Sequence, residues 1–375
     1  MVQRSQHAGK IARMRARLLE WYARSGRDLP WRRSSDPYAI WVSEIMLQQT
    51  RVAVVVDRYQ AFMVRFPTLA SLALAREEDV LAVWSGLGYY RRARMLQKAA
   101  RFVADHRQGC LPATAGELRL LPGIGVYTAA AIASIAFGEA VAVVDGNVER
   151  VLCRLEGWAA GNGAGGAAFK RRIDGLAARL ADPERPGDYN QALMELGATV
   201  CLPRNPRCPV CPLIGNCKTQ GEHKTAPRPR MLSRQVAQAL SVRAGSDSVP
   251  GNREVLLEQR PAKLTVMPGL WELPALLDAA VPEDKVRMTV RHAIMQVNYY
   301  VRIRTVIEDD VAAMTFAGGE RRWVPLGEAA GMPLTGLARK VLARAHLLPT
   351  AALDEQGKRI QTGSLMEREK LCAEY

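Results

Sequence analysis

Two carboxylates in this sequence stand where a carboxylate could do chemistry. Asp145 follows the apolar run Val141-Ala142-Val143-Val144 and precedes Gly146-Asn147. There it can cap a helix over Val148–Leu155 or hold a negative charge at the edge of a site. Glu44 is the one acid in the apolar helical pattern Ile40-Trp41-Val42-Ser43-Glu44-Ile45-Met46-Leu47-Gln48-Gln49-Thr50. Lodged among Ile40, Trp41, Ile45 and Leu47 it would be costly to ionise, so its pKa should rise, which is how a fold obtains a general acid near neutral pH. The plain alternative puts Glu44 on a solvated face. Between the two acids, Leu121-Pro122-Gly123-Ile124-Gly125-Val126-Tyr127-Thr128 separates two apolar helical patterns, Gly116–Leu121 and Val126–Phe137. A helix opening just after such a turn offers unpaired N–H groups, and Gly123 and Gly125 let a phosphate approach them closely.

Of seven cysteines, four fall in one loop: Cys201, Cys208, Cys211 and Cys217, spaced C-x6-C-x2-C-x5-C among Pro203, Pro206, Pro209 and Pro212. Met1–Lys10 has no apolar leader, so such clustering points to a metal rather than to disulfides. Structural zinc normally pairs two Cys-x-x-Cys knuckles, and one is present. A [4Fe–4S] cluster suits four unevenly spaced thiolates better. Arg204 and Arg207 lie between the first two cysteines, so the same loop would present cations to DNA. Cys110, Cys153 and Cys372 show no partner pattern.

The elements that must position these groups read mostly as helices. At 375 residues, 48% of them hydrophobic, the chain has room for two domains with real cores. A net charge of +15 calls for a polyanionic partner, nucleic acid or an anionic membrane surface. The longest uncharged run, Leu120–Gly138, is interrupted by Pro122, Gly123 and Gly125, so it reads as a buried helix rather than a membrane span. Ile11–Tyr22 reads as an amphipathic helix ended by Gly26 and Pro30, and Phe62–Ala75 as helical around a Pro67-Thr68 turn. Gly86-Leu87-Gly88-Tyr89-Tyr90 is a tight turn carrying two aromatics, followed by Arg91, Arg94, Lys98 and Arg101 at helical spacing. A basic stripe beside an aromatic wedge suits phosphates along a backbone while a ring enters the base stack. Gly157–Gly166 offers no candidate for chemistry, and Asn190–Gly197 opens the helix leading to the cysteines. Thr225–Gln235 is rich in Pro and Arg and reads as a linker. After it, Glu254–Glu258, Trp271–Leu276 and Val297–Thr305 read as strands, and Leu337–Leu347 as a helix capped at Thr335. The expected division is a first domain over 1–224, a linker over 225–245, a small α+β domain over 246–348 and a polar tail over 349–375.

Taken together, Trp21-Tyr22, Leu29-Pro30-Trp31-Arg32, Trp41–Thr50, Gly86–Tyr90, Leu121–Thr128, Val144–Val151, Asn190–Gly197 and the four cysteines resemble the adenine DNA glycosylases of the MutY type, in the helix-hairpin-helix base-excision superfamily. The resemblance implies a mainly α catalytic domain with a helix-hairpin-helix and a [4Fe–4S] loop, followed by a C-terminal α+β Nudix-like domain. The second domain keeps Gly269-Leu270-Trp271-Glu272-Leu273-Pro274 but lacks the Arg-Glu-x-x-Glu-Glu helix of a Nudix hydrolase, so no pyrophosphatase activity is expected. Also implied is a monomeric base-excision enzyme, cytoplasmic at the nucleoid. It would hydrolyse the N-glycosidic bond of adenine opposite 8-oxoguanine or guanine in double-stranded DNA. By motif, Glu44 protonates the purine and activates water while Asp145 stabilises the oxocarbenium ion, the logic of a glycosidase carboxylate pair. Tyr127 and Asn147 orient that pair, Arg32 lines the adenine pocket, Gln49 and Tyr89 surround the opposite base, and Gly123 and Gly125 grip the backbone.

The related endonuclease III type has a lysine where Tyr127 stands, because a Schiff base to the sugar needs an amine, so a monofunctional glycosylase is expected. A DNA-binding protein that had kept only the scaffold would have lost Glu44 or Asp145, and both are present. The family's His-x-Phe-Ser-His loop, which reads 8-oxoguanine, is here His292-Ala293-Ile294-Met295-Gln296, and the Gln296 amide is expected to take over part of that contact.

Overall fold

The structure is a computed structural model that describes residues 2–158, 166–223, 230–245, 253–264, 266–277, 281–294, 296–311 and 319–348. It divides into two units, Met1–Pro229 and Arg230–Tyr375. Among the described residues no helix is long and apolar enough to cross a membrane.

The described elements of the first unit are helical. They run α1 (Val2–Ser25), a 3-10 turn (Pro30–Arg32), α2 (Pro37–Leu47), α3 (Val52–Arg65), α4 (Leu69–Leu74), α5 (Glu77–Val83), α6 (Arg91–His106), α7 (Ala115–Leu118), α8 (Val126–Phe137), α9 (Gly146–Glu156), α10 (Ala167–Leu180) and α11 (Pro186–Thr199). Helix α2 starts where Asp36 accepts hydrogen bonds from the Tyr38 and Ala39 N–H groups, with Pro37 preset for the first turn. Every residue from Tyr38 to Met46 is buried, as a helix apolar on all sides must be. Helix α8 is buried from Thr128 to Ser134 and ends at Gly138, whose φ of +71° is the left-handed stop that glycine adopts freely. Helix α2 packs on α8, and α11 packs on α1, α8 and α9. These four helices (α2, α8, α9 and α11) carry the site. The helical pattern expected through Thr50 stops at Leu47, because the chain turns sharply there and Gln49 sits at φ +57°.

The second unit holds two sheets, built from β1 (Leu232–Leu240), β2 (Val242–Ala244), β3 (Arg253–Gln259), β4 (Trp271–Glu272), β5 (Val286–Ile294), β6 (Val297–Thr305) and β7 (Glu320–Pro325). One sheet has the order β1-β6-β5, with β1 parallel and β5 antiparallel to β6. In the other, β3 is flanked by β7 on one side and by β2 and β4 on the other, all antiparallel. Short helices α12 (Glu308–Val311) and α13 (Leu326–Ala329) precede α14 (Gly336–Arg344). The α14 side chains Leu337, Ala338, Val341 and Leu342 share one core with Val255, Leu257, Val301, Ile303 and Val324.

Three expectations need correction. The 225–245 stretch, expected as a linker, contains β1 and β2, and β1 runs in register with β6 along its whole length. Ala237, Ala239 and Gln238 are poor strand formers, so pairing and burial, not propensity, make this a strand. Trp271–Leu276 is a strand only over Trp271–Glu272, since Pro274 cannot donate to a ladder. The closing helix ends at Arg344 rather than Leu347, though Thr335 caps it as expected, accepting from the Ala338 N–H at 3.2 Å. Residues 159–165 of the Gly-rich loop, Met295 and the 349–375 tail lie outside the described residues.

Candidate active site

Helix α2 carries Glu44 into the interior, where it is 5% exposed. Burial lifts its carboxyl pKa to about 7, with the nearby Asp145 charge adding to the rise and a hydrogen bond from Tyr127 opposing it. Tyr127 comes from the first turn of α8, and its O–H donates to Glu44 Oε2 at 2.8 Å. That hydroxyl also lies 3.4 Å from the Met194 sulfur of α11. Burial and the Glu44 charge push the phenol well above its ordinary pKa, so Tyr127 acts as a donor and not as a base.

Asp145 is both things the sequence allowed. Its Oδ1 accepts from the Val148 N–H at 2.7 Å and caps α9, while its Oδ2 accepts from Asn147 Nδ2 at 2.9 Å. The same half-buried residue lines a cavity of about 990 Å³, large enough for a nucleoside. Asn190 of α11 holds the segment leading to Asp145: its side chain accepts from the Val143 N–H and donates to Val141 O and Ser134 Oγ.

Of the residues expected at the site, Arg32, Glu44, Gln49, Gly123, Gly125, Tyr127, Asp145 and Asn147 all line this cavity. Gly123 is obligatory on two counts, a φ of +78° and a Cβ position only 2.7 Å from Met95 Cβ. Gly125 leads into α8, which has no side-chain cap, so its first N–H groups remain free for an anion. Tyr89 does not line the cavity; it stands 49% exposed at φ +47°. Arg204 and Arg207 are exposed on the cysteine loop. Gln296 is exposed at the β5–β6 turn of the second unit. The stripe expected from Arg91 to Arg101 is only partly available, because Arg94 pairs with Glu77 at 2.7 Å and Arg101 donates to Ala73 O and Ala75 O.

Glu195 escaped sequence reasoning. It sits on α11 with its side chain fully buried, bonded to Arg27 at 2.7 Å and to Arg32 at 2.8 Å. Burial pushes its pKa up, but the two guanidinium groups outweigh that and hold it below the ordinary value. Arg32 therefore reaches the cavity as one of two guanidinium groups that share the Glu195 carboxylate, a group that keeps one net positive charge. The signal was partial: Glu195 stands in the apolar stretch Ala192-Leu193-Met194-Glu195-Leu196, although α11 also carries Asp188 in its first turn.

None of the four cysteines of the 201–217 loop is in a disulfide. Arg154, buried beneath the loop, donates to Cys201 Sγ at 3.3 Å, and the Gln220 N–H points at Cys217 Sγ at 3.5 Å. Burial raises the Cys208 pKa, and Cys217 and Cys201 raise it further, so these thiols share one neighbourhood. Among the described residues no three His, Cys, Asp or Glu side chains are set to hold a single metal ion. The two N–H donors to Cys201 and Cys217 are of the kind that support sulfur ligands.

Residues 42–170 match the family model of the HhH-GPD superfamily base excision DNA repair proteins. The chain is 50% identical over 220 residues to the adenine DNA glycosylase of Homo sapiens, an alignment covering 56% of this chain and 40% of that one. It is 39% identical over 330 residues to the adenine DNA glycosylase of Arabidopsis thaliana, covering 77% of this chain and 50% of the relative. Residues 42–170 of the first unit form a domain of the HhH-GPD base-excision repair type, and the unit is similar to adenine DNA glycosylases. A solved thermostable thymine-DNA glycosylase has a similar fold, with a TM-score of 0.52 and 29% identity over 57% of this chain and 98% of that one. The chain spans half or less of the length of the human and Arabidopsis relatives. The span matched by the HhH-GPD model takes in Glu44, Tyr127, Asp145 and Lys170, which line the cavity from α2, α8, α9 and α10.

Proposed function

We propose that the protein removes adenine mispaired with 8-oxoguanine or guanine in double-stranded DNA by hydrolysing its N-glycosidic bond. The observation that carries this reading is Glu44 held neutral-prone by burial, bonded to Tyr127, in the same cavity as Asp145, whose two oxygens are held by Val148 and Asn147.

With a pKa of about 7, Glu44 keeps a substantial protonated fraction at neutral pH. Tyr127 occupies Oε2, which leaves Oε1 to carry the proton. The proton passes to a ring nitrogen of adenine as the C1′–N9 bond stretches, and the base leaves uncharged. Asp145 cannot rotate away, since Val148 and Asn147 hold both its oxygens, and its charge opposes the positive sugar. The carboxylate left on Glu44 then takes a proton from the water that adds to C1′. No amine stands at position 127, so the product is an intact strand with an abasic site.

The four cysteines hold a [4Fe–4S] cluster. In this reading the group cross-links the loop that presents Arg204 and Arg207, and Arg154 and Gln220 donate to its thiolate ligands. The second unit is Nudix-like and reads the base opposite the adenine, with Gln296 contributing at the β5–β6 turn. The Gly269–Pro274 string and the sheet-and-helix core support this assignment.

The test is incubation with duplexes carrying adenine opposite 8-oxoguanine, guanine or thymine, followed by alkali and mass detection of free adenine. Alkali-dependent breaks at the first two and not the third are expected. No release of adenine, or equal release opposite thymine, contradicts the reading.

A further inference from the structure

Arg92, in the first turn of α6, is half-buried and spends its guanidinium on two separate segments. Its Nη1 points at Ile45 O (2.7 Å), Met46 O (2.9 Å) and Gln48 O (2.5 Å), the carbonyls that end α2. Its Nη2 points at Thr50 Oγ1 (3.0 Å), Leu87 O (3.1 Å) and Gly88 O (3.2 Å). The guanidinium also lies 5.5 Å from the Trp84 ring centroid and 5.6 Å from that of Tyr89. Its Nε is buried without a partner.

The bonded residues flank two non-glycine residues in the left-handed region, Gln49 at φ +57° and Tyr89 at φ +47°. Such backbone persists only where its surroundings over-determine it. Arg92 supplies that: it holds Gln48 and Thr50 on either side of Gln49, and Leu87 and Gly88 just before Tyr89. Gln48 is one helical turn from Glu44 on α2.

We infer that Arg92 is a specificity-determining positioning residue: it fixes the Gln49 and Tyr89 backbones to each other and to the helix carrying Glu44, so that excision depends on the opposite base. This rests on the function proposed above and on Gln49 and Tyr89 standing beside the opposite base, as the family resemblance implies. Arg92 touches neither base and acts only through the segments it ties. Burial draws its pKa down to about 10, so it is charged throughout the neutral range.

Arg92→Lys separates this role from packing. An ammonium can serve the α2 carbonyls from one point but cannot fork across to Thr50, Leu87 and Gly88 at the same time. Single-turnover rates at saturating enzyme are compared for adenine opposite 8-oxoguanine and opposite guanine, with melting temperature and cluster absorbance as controls. In Arg92→Lys the 8-oxoguanine rate should fall about tenfold towards the guanine rate, which changes little, so the ratio collapses. If both rates fall by one factor, or neither moves, Arg92 is a packing residue and the inference is wrong. Should Arg92→Lys fail to fold, Thr50→Val removes one acceptor at constant volume; a reduced ratio supports the inference and an unchanged one overturns it. A wild type that excises with no preference also overturns it, whereas one that releases no adenine from any duplex overturns the proposed function itself.

Discussion

Asn147 stands between Asp145 and Arg150. Its Nδ2 donates to Asp145 Oδ2 at 2.9 Å, and its Oδ1 accepts from Arg150 Nη2 at 2.9 Å. Arg150 in turn donates to Cys201 O at 2.9 Å and Gly197 O at 2.7 Å. The orientation of the Asp145 carboxylate is therefore tied, through two side chains, to the start of the cysteine loop.

Gly197 of α11 is where this tie is most easily broken. A Cβ there would stand 2.7 Å from Asn147 Cβ and 3.0 Å from its carbonyl oxygen. Gly197→Ala should displace Asn147, cutting single-turnover excision by about 10- to 100-fold and stability by about 1–3 kcal/mol. Denaturant titration and a rate measurement check both effects, and a wild-type rate would show that Asp145 does not depend on Asn147.

Glu44 sets a pH signature. Its carboxyl, ordinarily at 4.5, stands at about 7 in the folded protein, so the folded state binds that proton more tightly than the unfolded chain. The associated stability is complete below the unfolded pKa and is lost as pH rises through 7. The span is roughly 3 kcal/mol. Glu44→Gln, which cannot ionise, should gain on the wild type by up to this amount between pH 5 and pH 8, and urea melts at those two values measure it. An equal gap at both would mean that Glu44 titrates normally.

Tyr127→Phe tests the other side of the same bond. The phenol hydrogen bond pulls the Glu44 pKa down against burial, so its removal should push that pKa higher. The alkaline limb of the excision rate should then move to higher pH. A limb that stays in place, or moves to lower pH, would remove Tyr127 from the control of Glu44.

The cysteine loop should carry iron. Purified protein is expected to be brown, with about four iron and four sulfide per chain. Cys208→Ser should lose the colour together with DNA affinity, since Arg204 and Arg207 depend on the loop. A colourless, zinc-loaded protein with full activity is the opposite result.

Much of this site was legible in the sequence. Glu44 announced itself as a lone acid in an apolar helix, and the α8 bounds and β6 bounds fall where the periodicity puts them. What stayed hidden depends on partners far along the chain. Glu195 follows an apolar stretch, but its ion partners Arg27 and Arg32 lie 168 and 163 positions away. Strand β1 is made by pairing Leu232–Leu240 with Val297–Thr305, which no local pattern of Ala and Gln announces. The Arg91–Arg101 stripe looked free because Glu77 and the Ala73 and Ala75 carbonyls, which occupy Arg94 and Arg101, come from helices packed beside it.

The most direct test of the carboxylate pair is single-turnover excision of adenine opposite 8-oxoguanine by wild type, Glu44→Gln and Asp145→Asn, with duplex binding measured alongside. Each substitution keeps the side-chain shape and removes only a proton donor or a charge, so both variants should bind the duplex while their excision falls by several orders of magnitude. A near wild-type rate in either variant would contradict the account, because the reaction would then run without the acid or without the anion on which it depends.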